Sequence, residues 1–261
     1  MKIAAVGDNC IDLYENLGQA YPGGNPVNVS VYFVRLGGEA SYTGVVGDDE
    51  YGKIMVDSLK KKNVDISNIK ILPGNTAITH VELIDGDRVF GDYEEGVMAE
   101  FKLTDKDIDF LASHDMVVSG LWGMVESQLY KIKRRGTPIA FDFATKLDDP
   151  VIEKAIYDVD YAFFSYDKGD DDFIRSYMKK MHKKGPKLVI VTLGDKGSLC
   201  YDGQRFYKYG IVECEVVDTM GAGDSYIAGF LLGILRGKDI EECMRMGAEN
   251  ATITLQYYGA W

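Results

Sequence analysis

Apolar residues in this chain follow two rhythms. Short unbroken runs, such as Ile3-Ala4-Ala5-Val6 ending at Gly7-Asp8, have the pattern of strands buried on both faces. Between such runs, apolar residues recur three and four apart, as in Val29, Tyr32, Phe33 and Leu36 or Ile227, Phe230, Leu231 and Ile234. That spacing marks one buried face of a helix. Strands are predicted over residues 3–6, 41–46, 115–119, 138–143, 161–164 and 187–193. Helices are predicted after Gly24, from Glu50 to near Lys60-Lys61-Lys62, after Thr104-Asp105-Lys106-Asp107 (which resembles a capping box) and over 240–255. Repeated strand–helix units imply a mainly parallel sheet covered on both faces. Residues 198–201 and 205–209 read as an antiparallel addition at a sheet edge.

Residues 76–93 break this rhythm. Two strand-like runs flank Ile84-Asp85-Gly86-Asp87, and Asp-Gly is a strong hairpin-turn signal. The first run carries Ala77, Val81 and Leu83 on one side and Ile78 and Ile84 on the other. A hairpin apolar on both faces covers something or meets another chain. It is expected to be a lid over the site, with a homodimer contact through the lid as a second expectation. No repeat, low-complexity tract or linker interrupts the sequence, so residues 1–261 are expected to form one domain with a lid.

Composition narrows the class. The 261 residues are 46% hydrophobic, enough for a sizeable core, and carry a net charge of −12. That charge argues against nucleic-acid and anionic-membrane partners and leaves a small-molecule substrate. No run of about 18 apolar residues is present, and the N-terminal run is too short for a signal-peptide core. Cys10, Cys200, Cys214 and Cys243 are scattered, as expected of free thiols in a reducing cytoplasm. His80, His114 and His182 stand too far apart in sequence to support a zinc site, so no protein-held metal is expected.

The candidate chemistry lies in two glycine-led turns that run into helices. In Asp218-Thr219-Met220-Gly221-Ala222-Gly223-Asp224 the glycines free the backbone to present its amides, and the helix dipole adds positive potential. Asp224 then faces whatever anion binds, an arrangement suited to phosphoryl transfer to a hydroxyl. Pro22-Gly23-Gly24-Asn25-Pro26-Val27-Asn28 is the second turn, and Asn28 offers both a donor and an acceptor. Asp8 and Asp12 follow the first strand and are candidates for the crevice, or else turn residues. Asp142 at another strand end faces the crevice or caps a loop. Thr192-Leu193-Gly194-Asp195-Lys196-Gly197 permits tight turning near a phosphate or base, or is an ordinary strand connection. There is no G-x-x-x-x-G-K-[ST], no G-x-S-x-G, and Tyr226 stands where G-x-G-x-x-G needs its third glycine.

Together these stretches resemble the ribokinase-like (PfkB) carbohydrate kinase family. The resemblance implies an α/β ribokinase-like three-layer sandwich with a mainly parallel central sheet and a small β lid drawn mainly from residues 10–22 and 76–96. It implies ATP and Mg²⁺, with Asp224 as catalytic base and Gly221, Ala222 and Gly223 forming the anion hole. Asp12, Gly24 and Asn28 match the positions that hold sugar hydroxyls, and Thr192, Gly194 and Gly197 the nucleotide side. Gly7-Asp8-Asn9-Cys10-Ile11-Asp12, Arg88-Val89-Phe90-Gly91-Asp92-Tyr93, Glu95-Gly96-Val97-Met98-Ala99 and Tyr258-Gly259-Ala260-Trp261 are similar to the branch that phosphorylates fructosamines. The implied reaction is phosphorylation of fructoselysine at its 6-hydroxyl. The acids Asp92, Glu94 and Glu95 would suit a cationic substrate amine, or serve solubility alone. Many relatives carry N-x-x-E near the nucleotide's metal. Here the comparable stretch is Phe164-Ser165-Tyr166-Asp167-Lys168-Gly169-Asp170, where Asp167 or Asp170 would substitute. Another sugar or nucleoside kinase of the family and a nucleotide- and sugar-binding regulator without turnover remain as alternatives.

Overall fold

The first apolar run forms β1 (Lys2–Val6), which lies inside a nine-stranded sheet, as a strand apolar on both faces must. A computed structural model describes residues 1–14, 18–84 and 87–261. The other strands are β2 (Cys10–Tyr14), β3 (Gln19–Gly23), β4 (Glu39–Gly47), β5 (Asp65–Leu72), β6 (Ile78–Ile84), β7 (Asp87–Glu94), β8 (Met116–Gly120), β9 (Ile139–Asp142), β10 (Tyr161–Ser165), β11 (Leu188–Thr192), β12 (Ser198–Tyr201) and β13 (Phe206–Tyr209). The helices are α1 (Asn25–Arg35), α2 (Glu50–Lys61), α3 (Asp105–Ala112), α4 (Leu129–Arg134), α5 (Pro150–Ala155), α6 (Asp172–His182), α7 (Ala222–Leu235) and α8 (Ile240–Thr254).

The large sheet has the order β13-β12-β11-β10-β9-β8-β1-β4-β5. Its pairings are parallel from β11 to β5, and β12 and β13 add antiparallel at one edge. Side chains alternate between its faces. Ile3, Met116, Val118 and Ile190 pack with α1, α7 and α8, whereas Ala4, Val117, Val189 and Val191 pack with α3 to α6. Helix α2 lies beside α1 over Ala5 and Val46. The result is the expected ribokinase-like three-layer sandwich. Among the described residues no helix is long and apolar enough to cross a membrane.

Helix α7 is seated closely on α8. A Cβ on Gly229 would come within 2.4 Å of the Met246 carbonyl, and one on Gly233 within 2.8 Å of Cys243 Sγ. Close packing of this kind fixes the helix axis, and with it the position of the α7 N-terminus.

A second sheet of four strands, β3-β2-β6-β7, is formed by the segments expected to supply the lid. It is mixed: β2 pairs antiparallel with β3 but parallel with β6, and β6 pairs antiparallel with β7. Pro22 is accommodated because β3 is an edge strand. The expected Asp85-Gly86 turn lies outside the described residues. Ala77 and Val81 are buried, while Tyr93, Glu94 and Glu95 are exposed. Strand β5 was not expected from the sequence. It is the other edge of the large sheet, and its Asp65, Asn68 and Lys70 interrupt the apolar pattern as edge strands commonly do.

Candidate active site

Five helices start on a side-chain cap: Asp49 for α2, Thr104 for α3, Asp149 for α5, Asp171 for α6 and Asp239 for α8. Helices α1 and α7 do not. They begin on Gly24 and Gly221, whose φ angles of +107° and +72° favour glycine. At Gly221 sterics also exclude a side chain, since a Cβ would lie 2.2 Å from the Tyr32 hydroxyl. The Ala222 N–H reaches back to the Thr219 carbonyl at 3.3 Å, and the Ser225 N–H closes on the Gly221 carbonyl at 2.8 Å. The amides of Gly221, Gly223 and Asp224 have no hydrogen-bond partner among the described residues. Bare amides at a helix N-terminus are an anion site. The amide of Ala222, expected among them, is turned partly inward, and that of Asp224 joins the set.

These two glycine-led ends meet. Asn28 Nδ2 donates to one oxygen of Asp224 and Asn25 Nδ2 to the other, both at 2.7 Å. Asn25 Nδ2 also donates to Asp142 at 2.9 Å, and its backbone N–H reaches Asp8 at 3.3 Å. Trp261 donates its indole N–H to Asn28 Oδ1 at 2.8 Å, which orients the Asn28 amide so that its NH₂ faces Asp224. Asp218 ties the turn to the C-terminal segment, accepting the N–H groups of Met220 and Gly259.

Three carboxyls therefore crowd around Asn25. Asp224 is raised to about 8, chiefly by burial, with the neighbouring Asp142 and Asp8 adding to the shift and the amides of Asn28 and Asn25 opposing it. Asp8 and Asp142 are each raised to about 6, chiefly by burial. Such displaced carboxyls in one cleft mark a functional site.

Of the other sequence candidates, Gly24 packs its Cα against the backbone of Asp8 and Asn9, where a Cβ would come within 2.8 Å. Asp12 is buried on β2 beside Gly23, whose Cβ position is 2.6 Å from Asp12 Oδ2. Thr192, Gly194 and Gly197 line one cavity of about 500 Å³ together with Ala222 and Gly223. Val212, Ala248 and Leu255 give it apolar walls, a size and lining suited to a flat aromatic base. The bare end of α7 thus stands between this cavity and the carboxyl cluster. Asp167 also lines the cavity, whereas Asp170 is held by Arg175 and Lys208. The exposed acids of β7 lie outside the cluster, with Glu94 bonded to His80 at 3.0 Å.

The roles of Asn25 and Trp261 have no local sequence signal. Asn25 belongs to a motif whose asparagine at 28 carries the obvious chemistry, and Trp261 acts on Asn28 from the far end of the chain.

A family model described as "pfkB family carbohydrate kinase" matches residues 2–261. The chain is 44% identical over 259 residues to fructoselysine 6-kinase of Shigella flexneri, covering 99% of each. It is 36% identical over 265 residues to fructosamine kinase FrlD of Bacillus subtilis, covering all of this chain and 93% of that one. Among solved structures, Arabidopsis thaliana ribokinase complexed with ribose and ATP has a TM-score of 0.88 at 23% identity, covering 99% of this chain and 93% of its own. A sugar kinase of Pyrococcus horikoshii in complex with ATP has a TM-score of 0.82 at 27% identity, covering 99% and 94%. With the family's two glycine-led helices facing each other across one cleft and its model matching nearly every residue, the chain belongs to the pfkB family of carbohydrate kinases.

Proposed function

We propose that the chain is an ATP-dependent kinase that phosphorylates the 6-hydroxyl of a fructosamine, foremost fructoselysine. One observation carries the mechanism: Asp224 is held by two asparagines at the bare end of α7, between a nucleotide-sized cavity and the buried carboxyls of Asp8 and Asp142. Asp224 takes the proton of the acceptor hydroxyl as its oxygen bonds to the γ-phosphorus. The bond from that phosphorus to the β,γ-bridging oxygen breaks, and ADP leaves. Charge on the transferring group meets the amides of Gly221, Gly223 and Asp224, with the Ala222 amide shared with Thr219. Thr192, Gly194 and Gly197 hold the nucleotide, and Asp12, Gly24 and Asn28 hold the sugar side. Mg²⁺ supplies charge neutralisation on the nucleotide phosphates, and the carboxylate of Asp167, a hard oxygen donor lining the cavity, would hold it. The four-stranded sheet acts as a lid that excludes water from the transfer. The likeness to fructoselysine 6-kinase supports the substrate assignment.

A coupled assay of ADP release across fructoselysine, fructose, ribose and fructose phosphates tests this. The highest kcat/KM is expected for fructoselysine. ADP release that does not depend on sugar would contradict transfer, and a preference for ribose or a nucleoside would assign another substrate.

The pH profile follows from the raised base. Asp224 acts only when ionised and is held near 8 in the free enzyme. The logarithm of kcat/KM should therefore rise with pH and level off above about 8, losing about tenfold per unit below it. A single limb centred near 4 would show that the active base has an unperturbed carboxyl.

A further inference from the structure

We propose that Asp8 anchors a cationic nitrogen of the sugar substrate, which makes the pocket selective for amine adducts of ketoses over neutral ketoses. The proposal rests on the kinase reading above and adds to it the residue and the charge that set specificity.

The geometry begins with unpaired acceptors. Asp8 is 8% exposed. Its Oδ2 accepts the Asn25 backbone N–H, while Oδ1 is buried with no partner. Asn25 Nδ2 is committed to Asp142 and Asp224, which fixes the amide orientation and leaves Asn25 Oδ1 as a second buried acceptor without a donor. That oxygen lies against Gly120, where a Cβ would come within 2.6 Å. Buried acceptors left unmet are costly and uncommon, so a pair of them beside one cleft points to a ligand that brings donors. A secondary ammonium carries two N–H groups.

Hydroxyl donors would satisfy the acceptors but not the charge. Asp8, Asp142 and Asp224 gather around one asparagine, and among the described residues no lysine, arginine or histidine bonds to any of them. Burial raises all three, and repulsion adds to it at Asp142, from Asp8, and at Asp224, from Asp142 and Asp8, as expected of a site short of positive charge. Nucleotide phosphates add further negative charge at the end of α7. Buried carboxylates are tolerated when paired, so the cation is best supplied by the substrate.

Position agrees with charge. Asp224 contacts the side chain of Asn25, whereas Asp8 contacts its backbone N–H from the segment that leads from β1 into β2 of the smaller sheet. In a fructosamine the amine is on carbon 1 and the phosphorylated hydroxyl on carbon 6, at opposite ends of the sugar. The hydroxyl at Asp224 and the amine at Asp8 match that order.

The test compares 1-amino-1-deoxyfructose, which carries an ammonium, with its neutral N-acetyl derivative. Wild type is expected to favour the ammonium in kcat/KM. Asp8→Asn should reduce that preference at least about tenfold, largely through KM, as loss of a charge-assisted contact implies. Asp8→Glu, which keeps the charge, should retain more of the preference than Asp8→Asn. A general disturbance of α1 through the Asn25 N–H would slow both compounds alike, so the ratio reads the charge. An unchanged ratio in Asp8→Asn overturns the assignment while leaving the kinase reading intact. Loss of the ratio in a Glu94→Gln, Glu95→Gln enzyme with Asp8→Asn retaining it would move the anchor to the exposed acids at the end of β7 and overturn it equally. Failure of wild type to phosphorylate any sugar removes the kinase reading, and this inference with it.

Discussion

An Asp224→Asn enzyme is expected to lose kcat by about 10²–10⁴-fold, the usual contribution of a positioned general base. The substitution keeps the size of the side chain but removes its basicity. It also turns an NH₂ toward one of the two asparagine NH₂ groups that now donate to Asp224, so one of those bonds is lost. The apolar walls of the cavity do not involve this side chain, so ATP affinity measured by calorimetry should stay within a few-fold of wild type. The fold should survive. The folded-state pKa of Asp224 lies near 8, above its ordinary 3.8, so the native protein binds the proton more tightly than the unfolded chain. Its contribution to stability is therefore present below about 4 and declines as pH rises toward 8. At neutral pH an uncharged Asn avoids that penalty, which offsets the lost hydrogen bond. A kcat above about a tenth of wild type would remove Asp224 from the role of base.

How much of this was legible in the sequence depended on whether the signal was local. Gly221, Asp224, Gly24 and Asn28 are readable because a glycine before a helix and a polar residue in its first turn are neighbours in the chain. The same holds for the Thr104 and Asp107 capping box, which the structure contains in full. The partners of Asp224 are another matter. Asn25 and Asp142 are separated by 117 positions and Asn25 and Asp224 by 199, and only the parallel order of β9, β8 and β1 brings them to one end of the sheet. From sequence, Asp142 could be assigned to the crevice or to a loop cap with equal reason. The structure shows both: one oxygen accepts the Ala144 N–H as a cap, and the other meets Asn25. Strand β5 was missed for a different reason. An edge strand needs only one partner and tolerates charge, so its residues carry little of the periodicity that reveals the strands at the centre.

The glycines at the end of α7 give the second large effect, and they separate structure from catalysis. Both face the proposed phosphoryl position through their amides, but their surroundings differ. A Cβ on Gly221 meets the Tyr32 hydroxyl at 2.2 Å and Ala260 at 3.3 Å, at a positive φ that side chains avoid. Tyr32 in turn donates to the Ala260 carbonyl, so the clash is passed to the C-terminal segment that carries Trp261. Gly221→Ala should therefore lower both the unfolding midpoint and the rate. At Gly223 a Cβ meets nothing within 4 Å, and the backbone is helical. Gly223→Ala should fold with stability equal to or above that of wild type, because alanine is the better helix former. Its methyl group would nonetheless intrude on the nucleotide side, since Gly223 lines the cavity. A fall in kcat of about 10²–10³-fold, comparable to loss of one oxyanion contact, is expected with a normal melting curve. Thermal denaturation paired with steady-state kinetics on the two variants checks this. Full activity in Gly223→Ala would place the transferring phosphoryl group away from the α7 N-terminus, and with it the whole geometry of attack.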